Sequence, residues 1–204
     1  MMKKLLPILI VLFAIPVQDA AAKGFPHISY GLEWSYTGTF LKSWQHNFIC
    51  SEGYRIVDSD DNWWYYSNGS LLANAGVDLG RYFNLSVYSG LSGVYSKRWM
   101  IPVEGRLRYC PSGLDRNGPI FHLGAGAMFP TAVRRETSLG LNLGGGYRVS
   151  VFRKISVDFL MSMNFTTDHE QITDPDTRKY VPTLDITRNS AQYYALRVTA
   201  AINF

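Results

Sequence analysis

Four histidines, two cysteines, a set of acids and arginines and a cluster of aromatics are the residues of this 204-residue chain that could carry chemistry. His46 and His169 each have a nucleophile or an acid close by in sequence, Ser43 and Asp168 respectively, which is what acid–base or nucleophilic catalysis would ask for. His122 is followed only by Leu123-Gly124-Ala125, the histidines otherwise read as loop or lumen polar residues, and no metal-ligand spacing is present. Gly144-Gly145-Gly146 lies inside an apolar alternation rather than ahead of a helix, so it is not a nucleotide-binding turn. Catalytic residue, metal and cofactor are therefore all expected to be absent. Glu33, Asp78, Glu104 and Asp158 balance Arg106, Arg108, Arg148 and Arg197, four charges of each sign. Trp63, Trp64, Tyr65 and Tyr66 form a run that could stack on a sugar or meet a protein surface.

The elements that carry these residues show a period of two. Over 27–41, Ile28, Tyr30, Leu32, Trp34, Tyr36 and Phe40 fall on one side, with only Gly38 interrupting, and small polar residues and Glu33 fall on the other. That run exceeds a usual globular strand and matches the ~9–11 residues of a tilted membrane strand. The same alternation recurs over 71–80, 84–95, 100–109, 119–129, 138–152, 155–165 and 192–204. In 84–95 the facing is ambiguous, because Leu85, Val87 and Leu91 oppose Tyr88 and Val94. Short turns separate the strands at one end, the longest running from Cys110 to Gly118, and longer connections at 42–69, 96–99, 130–137 and 166–189 separate them at the other. The stretch 42–69 reads as a long outer loop in which Asp58-Ser59-Asp60-Asp61-Asn62 is a turn, and Trp44 to Ile49 and Tyr54 to Val57 could pair as a protruding hairpin across Cys50-Ser51-Glu52-Gly53.

Residues 1–22 begin with Lys3 and Lys4, continue through an apolar run and end on Ala20-Ala21-Ala22, the pattern of a cleaved secretory leader. Losing Lys3, Lys4 and Asp19 with it lowers the formal charge from +4 to +3, too little and too dispersed for nucleic acid. The domain expected is 23–204. Beyond the leader no apolar stretch approaches the ~20 residues of a membrane helix, so a membrane location requires a closed barrel. The expected fold is all-β: a closed antiparallel up-and-down transmembrane barrel of about eight strands, with short periplasmic turns and long outer loops. Closure turns the eight charges into the lumen, where in so small a barrel they either plug it or line a narrow ion path. Cys50 and Cys110 fall at opposite ends and are expected as free thiols.

The final strand has Tyr194, Leu196, Val198, Ile202 and Phe204 on its apolar side and resembles the terminal sorting signal of bacterial outer-membrane barrels. Leader, strands and terminal Phe204 together resemble the OmpA-transmembrane-domain and OmpX-like barrels over nearly all of 23–204. Met100 to Tyr109, MIPVEGRLRY, resembles a segment frequent in porin-like barrels of the Bacteroidetes type and departs from it at Cys110. The resemblance implies a monomer exported by a Sec-type signal, handed to the barrel-insertion machinery and surrounded by outer-membrane lipids and lipopolysaccharide. Its role would be structural, adhesive or host-interacting, with a glycan or host-surface ligand at the outer loops. The other readings are a narrow porin-like channel, a lipid A-modifying enzyme, whose His-x-Ser-Asn arrangement is absent here, and a soluble exported β-barrel binder or sandwich.

Overall fold

A computed structural model describes residues 27–95, 98–131, 137–152 and 155–204. The leader, 96–97 and 132–136 of the outer connections and 153–154 of a short turn lie outside the described residues. Eight strands follow one another around a closed barrel: β1 Ile28–Ile49, β2 Arg55–Leu79, β3 Phe83–Tyr95, β4 Arg98–Tyr109, β5 Gly118–Pro130, β6 Ser138–Phe152, β7 Ile155–Asp168 and β8 Ile186–Asn203. Each pairs antiparallel with its neighbour, and β8 returns to β1 from Gly31↔Asn203 up to Phe48↔Ile186. Closure leaves no unpaired strand edge in hydrocarbon, which a membrane-spanning sheet requires. The protein is a transmembrane β-barrel.

Period-two sequences become two-faced strands. Ile28, Tyr30, Leu32, Trp34 and Tyr36 are exposed on the outside of β1, while Ser29, Glu33, Ser35 and Thr37 are buried inside. The exposed apolar side chains form a belt bounded by aromatics, with Tyr82, Tyr109, Phe152 and Phe204 below and Tyr36, Trp99 and Phe129 above. Below is the end where β1 begins and β8 finishes. From Trp99 to Tyr109, at ~3.3 Å per residue and a tilt of ~40°, the belt is about 25 Å tall, the height expected of such barrels.

The region 42–69 departs from the long loop expected and takes the form of the hairpin that could pair across Cys50 to Gly53. It is not a long loop: β1 and β2 run on above the belt as one hairpin, 22 and 25 residues long against 12 to 15 for β3 to β7. Asp58 to Asn62 lie within β2, paired with Lys42 to His46. The reversal falls at Cys50 to Tyr54, where Gly53 takes φ 86° and Asp58 to Asn62 have no part. The hairpin rises clear of lipid, with one face against the 169–185 segment and the other in water, so the apolar contrast fades although the strands continue. Gly38, the gap in β1's apolar row, is covered by the Tyr65 ring, whose hydroxyl donates to Tyr36 Oη at 2.9 Å. At the other outer connection β8 begins at Ile186, earlier than expected, and 166–189 keeps the extension of β7 to Asp168, a Thr173↔Tyr180 bridge and a 3-10 turn at Thr183–Asp185.

Candidate functional site: a filled lumen and an outer sheet

The inward side chains lie in layers. At the lower mouth a cavity of about 80 Å³ opens among His27, Asp78, Asn84, Arg108, Arg148 and Asn203. Asp78 accepts from Asn84 Nδ2 at 2.7 Å and lies 3.2 Å from His27 Nδ1. Arg148 grips Asp158 with two hydrogen bonds of 2.7 Å and donates to the Leu114 carbonyl at 3.0 Å, drawing the 110–117 turn against the mouth. Arg108 donates to Asn203 Oδ1 at 2.7 Å and Asn84 Oδ1 at 2.8 Å and lies 3.7 Å from Asp158.

Above this comes the most enclosed layer. Arg106, 1% exposed, donates to Glu33 at 2.7 Å and Glu104 at 3.0 Å, and its guanidinium lies 3.9 Å from the centre of the Tyr88 ring. Arg197 is different. It donates to Thr37 Oγ1 and Ser92 Oγ at 3.3 Å and has no carboxylate within ion-pair distance among the described residues. It shares with Glu104 the wall of a gap of about 10 Å³, room for about one water. Its charge thus offsets the second carboxylate on Arg106 across that gap. His122 bonds Asn142 at 2.8 Å in the same region.

The third layer is apolar: Val94, Met100, Met128, Ala191 and Tyr193 pack together, with Trp44 and Tyr95 against them. Over it, Asp168 takes two hydrogen bonds from Arg98, at 2.8 and 3.0 Å, and one from Ser138 at 3.1 Å. All eight charges singled out in sequence are therefore inside, but in separate groups rather than one network. Asp168, Arg98, Tyr88 and His122 complete the lumen and were not among them. Asp168 and Arg98 have the inward parity of β7 and β4, so carrying those alternations two or three residues further would have found them. Tyr88 and Val94 point inward, which resolves the facing of β3. Tyr88 is there for Arg106, and Val94 for the apolar layer.

No protein-family model matches the chain, and none of the curated proteins compared with it does. Solved structures do resemble it. The N-terminal β-barrel domain of Pseudomonas aeruginosa OprF is 10% identical, with TM-score 0.48, over 88% of this chain and 100% of that one. Neisserial surface protein A is 11% identical, TM-score 0.45, over 86% and 98%. The outer membrane protein OprG of Pseudomonas aeruginosa is 10% identical, TM-score 0.46, over 89% and 98%.

Outside the belt, β2, β1 and β8 continue upward as a three-stranded sheet with a core of its own. Phe48, Cys50, Ile172 and Val181 are buried together, and Ile56 and Ile186 pack against them. Cys50 lies here and Cys110 at the lower end, both free and buried. The segment 169–185 is strapped across this sheet. Asp174 accepts N–H bonds from Ser51, Asp176 and Thr177 at 2.8, 2.8 and 3.2 Å. Tyr54 donates to Asp176 at 3.1 Å, Lys42 meets Glu170 at 2.7 Å, and the Tyr193 hydroxyl donates to Glu170. Trp63, Trp64 and Tyr65 stand exposed at the foot of the sheet, and the Tyr66 ring meets that of Tyr95 at a tilt of 52°, with centroids 4.2 Å apart.

The strap's response to acid has a defined sign. Burial raises the Asp174 carboxyl, but the N–H bonds outweigh it and hold the group below the usual range. Burial holds the His46 imidazole below its ordinary value, against an opposing pull from Glu170. Both groups have folded pKa values below their unfolded ones, so the stability they contribute is present at neutral pH. His46's share is lost as pH falls from about 6.5 through its folded pKa, and Asp174's as pH falls from about 4. Amide protection over 172–181, measured relative to the intrinsic exchange rate at each pH, is expected to fall first below pH about 6.5 and again below about 4. Asp174→Asn should lower it at neutral pH and flatten the second step. Protection that is indifferent to acid would mean that other contacts hold the strap.

Proposed function

We propose that this protein is an integral outer-membrane barrel, exported by a Sec-type leader, whose work is done at the cell surface by its outer sheet and strap. The observation that carries the reading is a contrast. The lumen is filled by buried ion groups under an apolar layer, while three strands and a packed strap continue beyond the lipid belt. A structural, adhesive or host-interaction role follows, with Trp63, Trp64, Tyr65 and Tyr66 as candidates for a glycan or host-surface ligand. The belt, and the outward row of Tyr194, Leu196, Val198 and Ile202 on β8, suit outer-membrane lipids and lipopolysaccharide as surroundings and the insertion machinery as a transient partner. The reading is of a monomer and not of an enzyme: His27 stands at the lower mouth and His122 in the lumen, away from His46 in the outer sheet. The MIPVEGRLRY segment supports kinship with porin-like barrels of the Bacteroidetes type.

A narrow channel is the second reading. It is favoured by lumen atoms that make no hydrogen bond to protein: Glu33 Oε1, Arg106 Nη2, His122 Nδ1, Asn142 Nδ2 and both amide atoms of Asn74. Such groups invite water. Conductance in planar bilayers separates the two. The filled lumen is expected to give no steady single-channel current, and a reproducible current would replace the surface reading by the channel.

A further inference from the structure

Above the belt, β2 is paired on one side only. β1 follows it to Ile49↔Arg55, whereas β3 joins it only at Ser70↔Ser92 and below. Among the described residues, the other edge of 55–63 therefore has no strand paired to it. The ladder tells which backbone groups it offers. The Cys50 N–H donates to the Tyr54 carbonyl at 3.0 Å, making that a hydrogen-bonded pair. Bonded and non-bonded pairs alternate from there, so Ile56, Asp58 and Asp60 spend their backbone groups on β1, and Val57, Ser59 and Asp61 turn theirs to the free side. In keeping with this, the Asp61 N–H donates to the Asp60 carboxylate at 2.9 Å.

The side chains along this edge select what can join it. Asp58 and Asp60, opposite His46 and Trp44, lie on one face; Val57, Asp61 and Trp63, opposite Asn47, Ser43 and Leu41, lie on the other. No lysine or arginine stands within ion-pair distance of Asp58, Asp60 or Asp61 among the described residues. Val57 is 64% and Trp63 70% exposed. A second copy pairing here about a two-fold near Asp60 would set acid against acid, a known way of protecting an edge from its own kind. A basic strand meets the opposite situation: its charges fall beside Asp58 and Asp60, and its apolar residues on the face of Val57 and Trp63, which Asp61 shares.

We propose that residues 56–63 of β2 take up, by strand addition, an extended segment of another protein in which lysine or arginine alternates with apolar residues. The proposal rests on the surface reading for access alone. The test uses the folded full-length barrel in nanodiscs and, as probe, a labelled eight-residue peptide alternating lysine and valine. Binding should be saturable, and at least tenfold weaker to Asp58→Asn/Asp60→Asn. Ser59→Pro, which removes an N–H from the free side and none from the β1 ladder, should weaken it as much. N-methylation of one alternate set of peptide residues should abolish binding, and methylation of the other set should leave it. Each variant is first shown to keep its mobility shift on unboiled gels. Equal binding of both methylated peptides, equal binding of a glutamate–valine peptide, or barrel dimers that Ser59→Pro dissolves would overturn the proposal. Protease access to the hairpin on intact cells tests the surface reading separately, and its failure would leave the peptide result standing.

Discussion

Arg106→Leu is expected to lower the barrel's unfolding free energy by about 3–5 kcal/mol, seen as an earlier urea midpoint in lipid vesicles and loss of the unboiled-gel shift at lower temperature. The reason is what stays behind. Arg106 is the shared partner of Glu33 and Glu104, so removing it leaves two carboxylates without their cation in a space closed to bulk water. The Tyr88 ring loses its stacked cation in the same step. Arg197→Met should cost clearly less, because its direct partners are the hydroxyls of Thr37 and Ser92 and no carboxylate is stripped. A loss under about 1 kcal/mol for Arg106→Leu would mean that the triad is solvated through the lumen, and would strengthen the channel reading.

The second large effect concerns Gly146. A Cβ there would stand 1.9 Å from the Phe159 carbonyl oxygen and 2.8 Å from the Leu160 Cα, both backbone atoms of β7 that cannot move without shifting the strand. Ile120 and Leu160, the residues it pairs with on either side, are packed with Cys110 against the same wall. Gly146→Val is expected to destabilise the barrel by about 3 kcal/mol or to leave it unfolded. Gly105 is the control, since a Cβ there meets only the Ala125 carbonyl at 3.9 Å and Gly105→Ala should stay within about 0.5 kcal/mol. Equal tolerance at both positions would show that β6 and β7 have freedom to part.

How much was legible follows from where water lies. Where one face met lipid and the other the lumen, contrast between successive residues was at its greatest, and β1 from Ile28 to Tyr36 or β6 from Leu139 to Val151 could be read directly. Above the belt, from Lys42 to Asn62, no face met lipid, the contrast between successive residues fell, and a run of Asp, Ser and Asn in the middle of a strand carried the composition of a turn. Inside the lumen the eight charges were visible because acids and arginines are rare on such strands. Their grouping was not, since which arginine meets which acid depends on barrel stagger rather than on facing. Tyr88 escaped because an aromatic ring on a membrane strand reads as lipid-facing. Asp168 and Arg98 escaped because the alternation was stopped at the belt, although β7 and β4 run past it.

The Arg106 triad draws its members from β1 and β4, and the Arg148 pair draws on β6 and β7, with Arg108 of β4 and Asn203 of β8 beside it. No single hairpin can neutralise Glu33. An open sheet entering the membrane would carry that carboxylate with no counter-charge in reach until β8 meets β1, and Arg106, three strands away, with Glu104 of its own strand as sole partner. The interior of the nascent barrel must therefore stay wet until the ring closes, and expelling that water belongs to the final step. Assembly becomes a late, all-or-none event, in which the side chains that hold the finished barrel together also bar a dry, half-built one.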